Sequence, residues 1–229
     1  MQKTFRFAFL RSLPVLFGYI FLGIAFGLVL QEAGFGVQWS LAASCLIYAG
    51  SMQFLLPSLL LGGSWLEIAV MTLLVNGRHL FYGLSFIEKF KKMGKAYPYM
   101  IFSLTDETFS VLCSLDEIPE GVDEKKAFFL IALLDQLYWV TGSVIGALAG
   151  QYIGFDSTGI DFAMTALFVV IFLDQWKGTK NHIPATLGLL VGVGALTLLG
   201  ADRFLLPALF LSVGALIALR PIMQKKEAN

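Results

Sequence analysis

Four clusters of polar side chains interrupt otherwise apolar runs in this 229-residue chain. They are Tyr48-Ala49-Gly50-Ser51-Met52-Gln53; Asn76-Gly77-Arg78-His79, with Tyr82 and Ser85 beyond; Thr105-Asp106-Glu107; and Asp135-Gln136, with Tyr138 and Trp139 one turn on. An ionisable group at a bilayer centre costs about 2.5 kcal/mol or more, so charges placed there point to binding and translocation. The Arg78 guanidinium cannot shed its proton. It must meet an anion, either a protein carboxylate or a substrate carboxylate. Asp106 or Asp135 can attract an ammonium group. Tyr48, Ser51, Gln53, Asn76 and Tyr82 offer neutral hydrogen bonds. Gly50-Ser51 can loosen a helix and free backbone groups, as the discontinuous helices of transporters do. For proton coupling the candidates are His79, which titrates near neutral pH, and the adjacent carboxylates Asp106 and Glu107. Two close carboxylates in a dry site hold one proton tightly. Each cluster also has a plainer reading: a structural Arg78 ion pair, a neutral His79 bonded between helices, a packed kink at Gly50. Asp174-Gln175 resembles the fourth cluster and reads as a solvated helix end beside Lys177.

These residues need apolar helices to hold them. Hydrophobic residues make up 57% of the chain and charged ones 14%, against about 25% charged in soluble domains. The mean hydropathy is +0.77. The composition describes an integral membrane protein. The runs are continuous rather than alternating, which excludes a β-barrel. The expected fold is all-α and polytopic, one transmembrane transport domain over 1–229. About eight segments are long and apolar enough to span: 12–31, 39–62, 65–88, 96–115, 127–149, 160–176, 183–199 and 203–220. With a cytoplasmic N-terminus, eight crossings put ten loop Lys and Arg inside and five outside, as positive-inside asymmetry requires. Lys89, Lys91, Lys92 and Lys95 fall on the wrong side. A re-entrant second segment gives seven crossings, but the count is then eight against seven.

Glycines recur four apart at Gly23/Gly27, Gly142/Gly146/Gly150 and Gly188/Gly192, a spacing that lets helices approach closely. Gly34-Phe35 with Gln53-Phe54, and Gly154-Phe155 with Gln175-Trp176, suggest a repeat relating segments one to three to segments five to seven, with broken helices in each. Cys45 and Cys113 form no CxxC and read as small buried residues. The basic start (Lys3, Arg6, Arg11) runs into a long apolar stretch and reads as a retained first helix rather than a cleaved leader. The net charge of zero argues against a nucleic-acid partner. No nucleophile elbow, HExxH or phosphate loop is present. Neither an enzyme nor a cofactor is expected.

Tyr48 to Phe54, Asn76 to Gly83, and Thr105-Asp106-Glu107, together with Gly154-Phe155-Asp156 leading to Ala166-Leu167-Phe168, resemble the AzlC family over almost the whole chain. Gly77 departs from the larger apolar residue expected before the Arg-His pair. The resemblance implies a large subunit of a branched-chain amino acid exporter in the cell membrane, driven by an ion gradient. It also implies a small hydrophobic AzlD-like partner subunit. A transporter of another small solute or cation, and a scaffold subunit of a membrane complex, are the competing readings.

Overall fold

The computed structural model describes residues 1–115, 118–153, 181–200 and 204–227, with 169, 172, 173, 176 and 177. The described residues are helical and contain no strand. Two compact units divide the chain, Met1–Met164 and Thr165–Asn229.

The first unit is built on two long apolar helices, α1 (Gln2–Glu32) and α7 (Glu124–Ile153). Both are long and apolar enough to cross a membrane. They lie side by side and run parallel. Near their starts the Asp123 N–H donates to the Thr4 hydroxyl at 3.3 Å. Halfway along, a Cβ on Gly142 would stand 2.6 Å from the Ile20 carbonyl oxygen, and one on Gly23 2.9 Å from the Trp139 carbonyl oxygen. At Gly27 and Gly146 an added Cβ would overlap the carbonyl oxygens of Ser143 and Ile24. The glycine spacing therefore does what it predicts here: it brings two backbones into direct contact. At Gly188 and Gly192 an added Cβ meets no described atom within 4 Å, so that pair shows no such contact.

The segment expected at 39–62 is two half-length helices, α2 (Val37–Leu46) and α3 (Gly50–Gly62). The Ser40 hydroxyl donates to the Ser143 carbonyl at 2.9 Å, and the Gln136 side-chain amide donates to the Cys45 carbonyl at 3.2 Å. So α2 runs toward the start of α7. The chain then turns at Tyr48, whose φ of 45° lies in the left-handed region, a rare and strained place for a bulky residue. Tyr48 packs against Tyr19 (ring centroids 6.5 Å apart) and Phe54 against Phe26 (5.9 Å). From Tyr48 to Phe54 the chain therefore climbs back along α1, and α3 returns toward the end from which α2 came.

The helix α4 (Trp65–Lys91) starts at a capping box, in which Ser64 and Glu67 satisfy each other's backbone N–H groups. It ends beside the start of α1, because Phe86 and Phe90 share a core with Ala8 and Phe128. The segment expected at 96–115 is also broken. A short 3₁₀ turn leads into α5 (Tyr97–Phe102), and after Ser103-Leu104-Thr105 comes α6 (Asp106–Cys113). Tyr99 packs on Phe129 at 5.3 Å, and Phe102 reaches Tyr48 at 6.2 Å. Leu112 and Leu115 then return to the core of Ala8, Phe90 and Phe128. This second hairpin enters from the end opposite to the first, and their tips meet halfway along α1. Neither broken segment is one continuous span, because each reverses direction at its break.

The second unit contains α8 (Ile183–Leu199) and α9 (Leu205–Glu227), matching the expected seventh and eighth segments. Most of the sixth segment, Asp174-Gln175, and the Gly154 and Gln175 positions of the suggested repeat lie outside the described residues. Cys45 and Cys113 are free and exposed rather than buried. They join an outer surface of the first unit that carries large apolar side chains, including Phe17, Phe21 and Leu66, as a lipid-facing protein presents.

Replacing Gly146 by Leu should lower the thermal unfolding midpoint in detergent by the equivalent of about 1–3 kcal/mol or more. Gly18→Leu, in an open position of α1, serves as the control and should change it little. Gln53→Leu removes the acceptor for both the Ala49 N–H and the Trp139 indole N–H. It should cost about 1–3 kcal/mol for each orphaned donor, and Trp139→Phe in the same chain should recover part of that loss.

Candidate functional site

The two hairpin tips and the middle of α4 bring the charged residues together. Arg78 donates from Nη2 to Asp106 Oδ2 at 2.7 Å and to the Ser51 hydroxyl at 3.1 Å. Ser51 lies in the first turn of α3, Asp106 in the first turn of α6. Each helix thus begins at this point, with its positive dipole end and unsatisfied N–H groups directed at it. Thr105 caps α6 by accepting the Thr108 N–H at 3.3 Å. The α3 start has no side-chain cap, and Ser51 in its first turn meets Arg78.

The ion pair is about one-third exposed (27% and 31%), so it is reachable. Its bonding is incomplete: Arg78 Nε and Asp106 Oδ1 are buried atoms without hydrogen-bond partners among the described residues. His79 Nε2 stands 3.9 Å from Asp106 Oδ1, too far for a hydrogen bond. Asn76 Oδ1 is a further unpartnered buried acceptor on the same stretch of α4. Tyr82 stacks on Phe109 at 4.4 Å and meets the His79 ring edge-on at 5.8 Å. Beside His79 lies a cavity of about 480 Å³, walled mainly by Leu84, Ile87, Tyr97, Pro98 and Ile101.

The structure sorts the remaining predicted residues. Glu107 does not pair with Arg78; it accepts a hydrogen bond from the Tyr19 phenol at 2.7 Å. Asp135 is fully buried and accepts from the Thr108 hydroxyl at 2.8 Å, apart from the Arg78 pair. Gln53 holds the first hairpin tip: its side-chain carbonyl accepts from the Ala49 N–H and the Trp139 indole, both at 3.1 Å. Gly50 starts α3, facing the Trp139 ring. Tyr48 is the tip itself. Phe54 belongs to an aromatic core with Phe26 and Trp139. Sequence reasoning missed Tyr19 and Thr108, and it named Gln136 beside Asp135 without giving it a role. Tyr19 bridges Thr105 and Glu107, and Gln136 ties Tyr99 to the freed Cys45 carbonyl. Their signal was present but weak: hydroxyl and amide groups on one face of otherwise apolar helices.

The family model for the AzlC protein matches residues 14–153. The branched-chain amino acid transport protein AzlC of Bacillus subtilis is 41% identical over 99% of this chain and 89% of its own. An uncharacterized membrane protein of Helicobacter pylori is 42% identical over 95% of this chain and 96% of its own. The inner membrane protein YgaZ of Escherichia coli is 32% identical over 92% and 86%. No solved structure matches significantly. The chain is a membrane protein, and it belongs to the AzlC family.

Proposed function

We propose that this chain is a secondary active exporter of branched-chain amino acids, coupled to protons or another ion, and not an enzyme. In this reading it works in the cell membrane as one multi-pass transport domain, with a small AzlD-like subunit beside it. The observation that carries the reading is the half-satisfied Arg78–Asp106 pair. A cation and an anion lie in contact, and each keeps an unpartnered atom, Arg78 Nε and Asp106 Oδ1. That pattern complements a zwitterion, whose carboxylate takes the Arg78 side and whose ammonium takes the Asp106 side. The uncapped start of α3 and Ser51 add donors for the carboxylate. Asn76 adds an acceptor for the ammonium. The apolar cavity beside His79 has room for a branched side chain. The printed name of the Bacillus relative supports this substrate class.

The same reading sets a topology. The helices α1, α4 and α7 cross the bilayer, and the two hairpins reach halfway in from opposite sides. This replaces eight single crossings. It carries Lys89, Lys91, Lys92 and Lys95 to the side of Lys3, Arg6 and Arg11. With segments six to eight crossing as expected, the Lys and Arg distribution becomes fourteen against one, Arg203 being the exception. Positive-inside asymmetry favours this arrangement.

Cells lacking native exporters, preloaded with a leucine-containing dipeptide, test the function directly. Expression with the candidate small subunit should accelerate leucine efflux. Arg78→Ala and Asp106→Asn should each lower it roughly 10- to 100-fold, as loss of a charge-assisted hydrogen bond worth about 1.5–3 kcal/mol implies. Undiminished efflux in Arg78→Ala would sink the site assignment. Efflux supported by the small subunit alone would make this chain a scaffold. For the topology, Lys92→Cys should react with an impermeant maleimide only from the cytoplasmic face. Labelling from outside would restore the eight-crossing arrangement.

A further inference from the structure

Behind the ion pair runs an unbroken line of oxygen atoms that the substrate reading does not use. Glu107 Oε2 lies 2.7 Å from the Tyr19 phenol oxygen. Tyr19 lies 2.6 Å from Thr105 Oγ1. Thr105 Oγ1 lies 3.2 Å from Thr108 Oγ1, and Thr108 Oγ1 lies 2.8 Å from Asp135 Oδ2. Tyr19, Thr105, Thr108 and Asp135 are all buried, whereas Glu107 is exposed.

Counting hydrogens along this line decides its protonation. There are four oxygen–oxygen links but only three hydroxyl hydrogens. With both carboxylates ionised, Tyr19 donates to Glu107, Thr108 to Asp135, and Thr105 to one neighbour. One link is then left with two oxygens facing each other and no hydrogen between them. If Thr105 donates to Thr108, that link is the 2.6 Å contact between Tyr19 and Thr105. One further hydrogen closes the line; two would overfill it. The added hydrogen must sit on a carboxyl group. If it is on Glu107, every hydroxyl donates toward Asp135. If it is on Asp135, every hydroxyl donates toward Glu107. The lone pairs suffice in both cases, since Thr105 Oγ1 accepts the Thr108 N–H and one hydroxyl in either polarity.

We infer that Glu107 and Asp135 share one proton along a relay formed by the hydroxyls of Tyr19, Thr105 and Thr108. Transfer is a concerted shift. The Glu107 O–H bond breaks as its proton passes to Tyr19. Tyr19 gives its own proton to Thr105, Thr105 to Thr108, and Thr108 to Asp135 Oδ2. One proton is moved in net terms, the negative charge changes ends, and no other reactant is consumed. The proton thus passes between the two carboxyl groups without water entering. Among the described residues, the other charged and titratable groups facing the relay are Asp106, Arg78 and Tyr82 beside Glu107, Tyr48 between the two carboxyls, and Tyr99 and Tyr138 around Asp135. Asp106 and Arg78 neutralise each other, so the relay keeps a single negative charge of its own. The relay deepens the ion-coupled transport reading and rests on it only for the use made of the proton.

The test is an infrared pH titration of the full-length protein in lipid nanodiscs. The carboxyl bands of Glu107 and Asp135 are identified by what Glu107→Gln and Asp135→Asn remove. In the wild type, one protonation step should perturb both bands together. Thr108→Val should separate them, so that each titrates alone, and Thr108→Ser should rejoin them. Tyr19→Phe makes the same cut on α1, should Thr108→Val fail to fold. Bands that move independently in the wild type, or stay linked in both Thr108→Val and Tyr19→Phe, would overturn the relay. In proteoliposomes, Thr108→Val should retain leucine counterflow while gradient-driven uptake against concentration falls about a hundredfold. If the wild type moves no leucine, the transport reading fails, but the titration still decides whether the proton is shared.

Discussion

Everything in the first unit hangs on the backbone contact between α1 and α7. Four glycines, Gly23, Gly27, Gly142 and Gly146, leave no space for a side chain where the helices meet. In lipid no hydrophobic force draws helices together, so such close contact is a principal source of association. It also fixes which faces remain free. The free face of α7 carries Asp135, Gln136 and Trp139, and that of α1 carries Tyr19 and Phe26. Both hairpins dock against this composite surface. Its aromatic rings support the first tip, and its hydroxyl and amide groups receive the second.

The broken helices follow from the backbone's demand for hydrogen bonds. A helix cannot stop inside a bilayer unless protein groups take over its unpaired ends. Each break here has such groups. Gln136 serves the Cys45 carbonyl at the end of α2, and Gln53 serves the Ala49 N–H before α3. Thr105 caps the start of α6. The same residues that satisfy the backbone also place Ser51 and Asp106 against Arg78.

Much of this was legible in the sequence. The apolar runs marked the helices, and 183–199 coincided with α8. The glycine spacing marked the α1–α7 contact. The interrupting charges marked the candidate site, where Arg78 and Asp106 pair, because lipid makes each one conspicuous. The reversals were not legible. Gly50-Ser51 signalled a weakness, but the turn falls two residues earlier at Tyr48, a residue whose left-handed conformation no local rule favours. The second break carries no glycine at all, only Ser103-Leu104-Thr105. Hydropathy reads a half-length helix followed by its return as one span, since both have the same total length. The partition of the carboxylates was also hidden: Asp106 and Glu107 are neighbours in the chain yet bond to different helices.

The hairpins enter from opposite ends and stop at the same height. In the proposed topology, a polar centre at that height is screened from each compartment by only about half a membrane's thickness of protein, supplied on each side by a different element. The two screens are separate pieces of chain, joined by the helix α4. Under the proposed transport function, each hairpin is the element that would move to open the site to its own side.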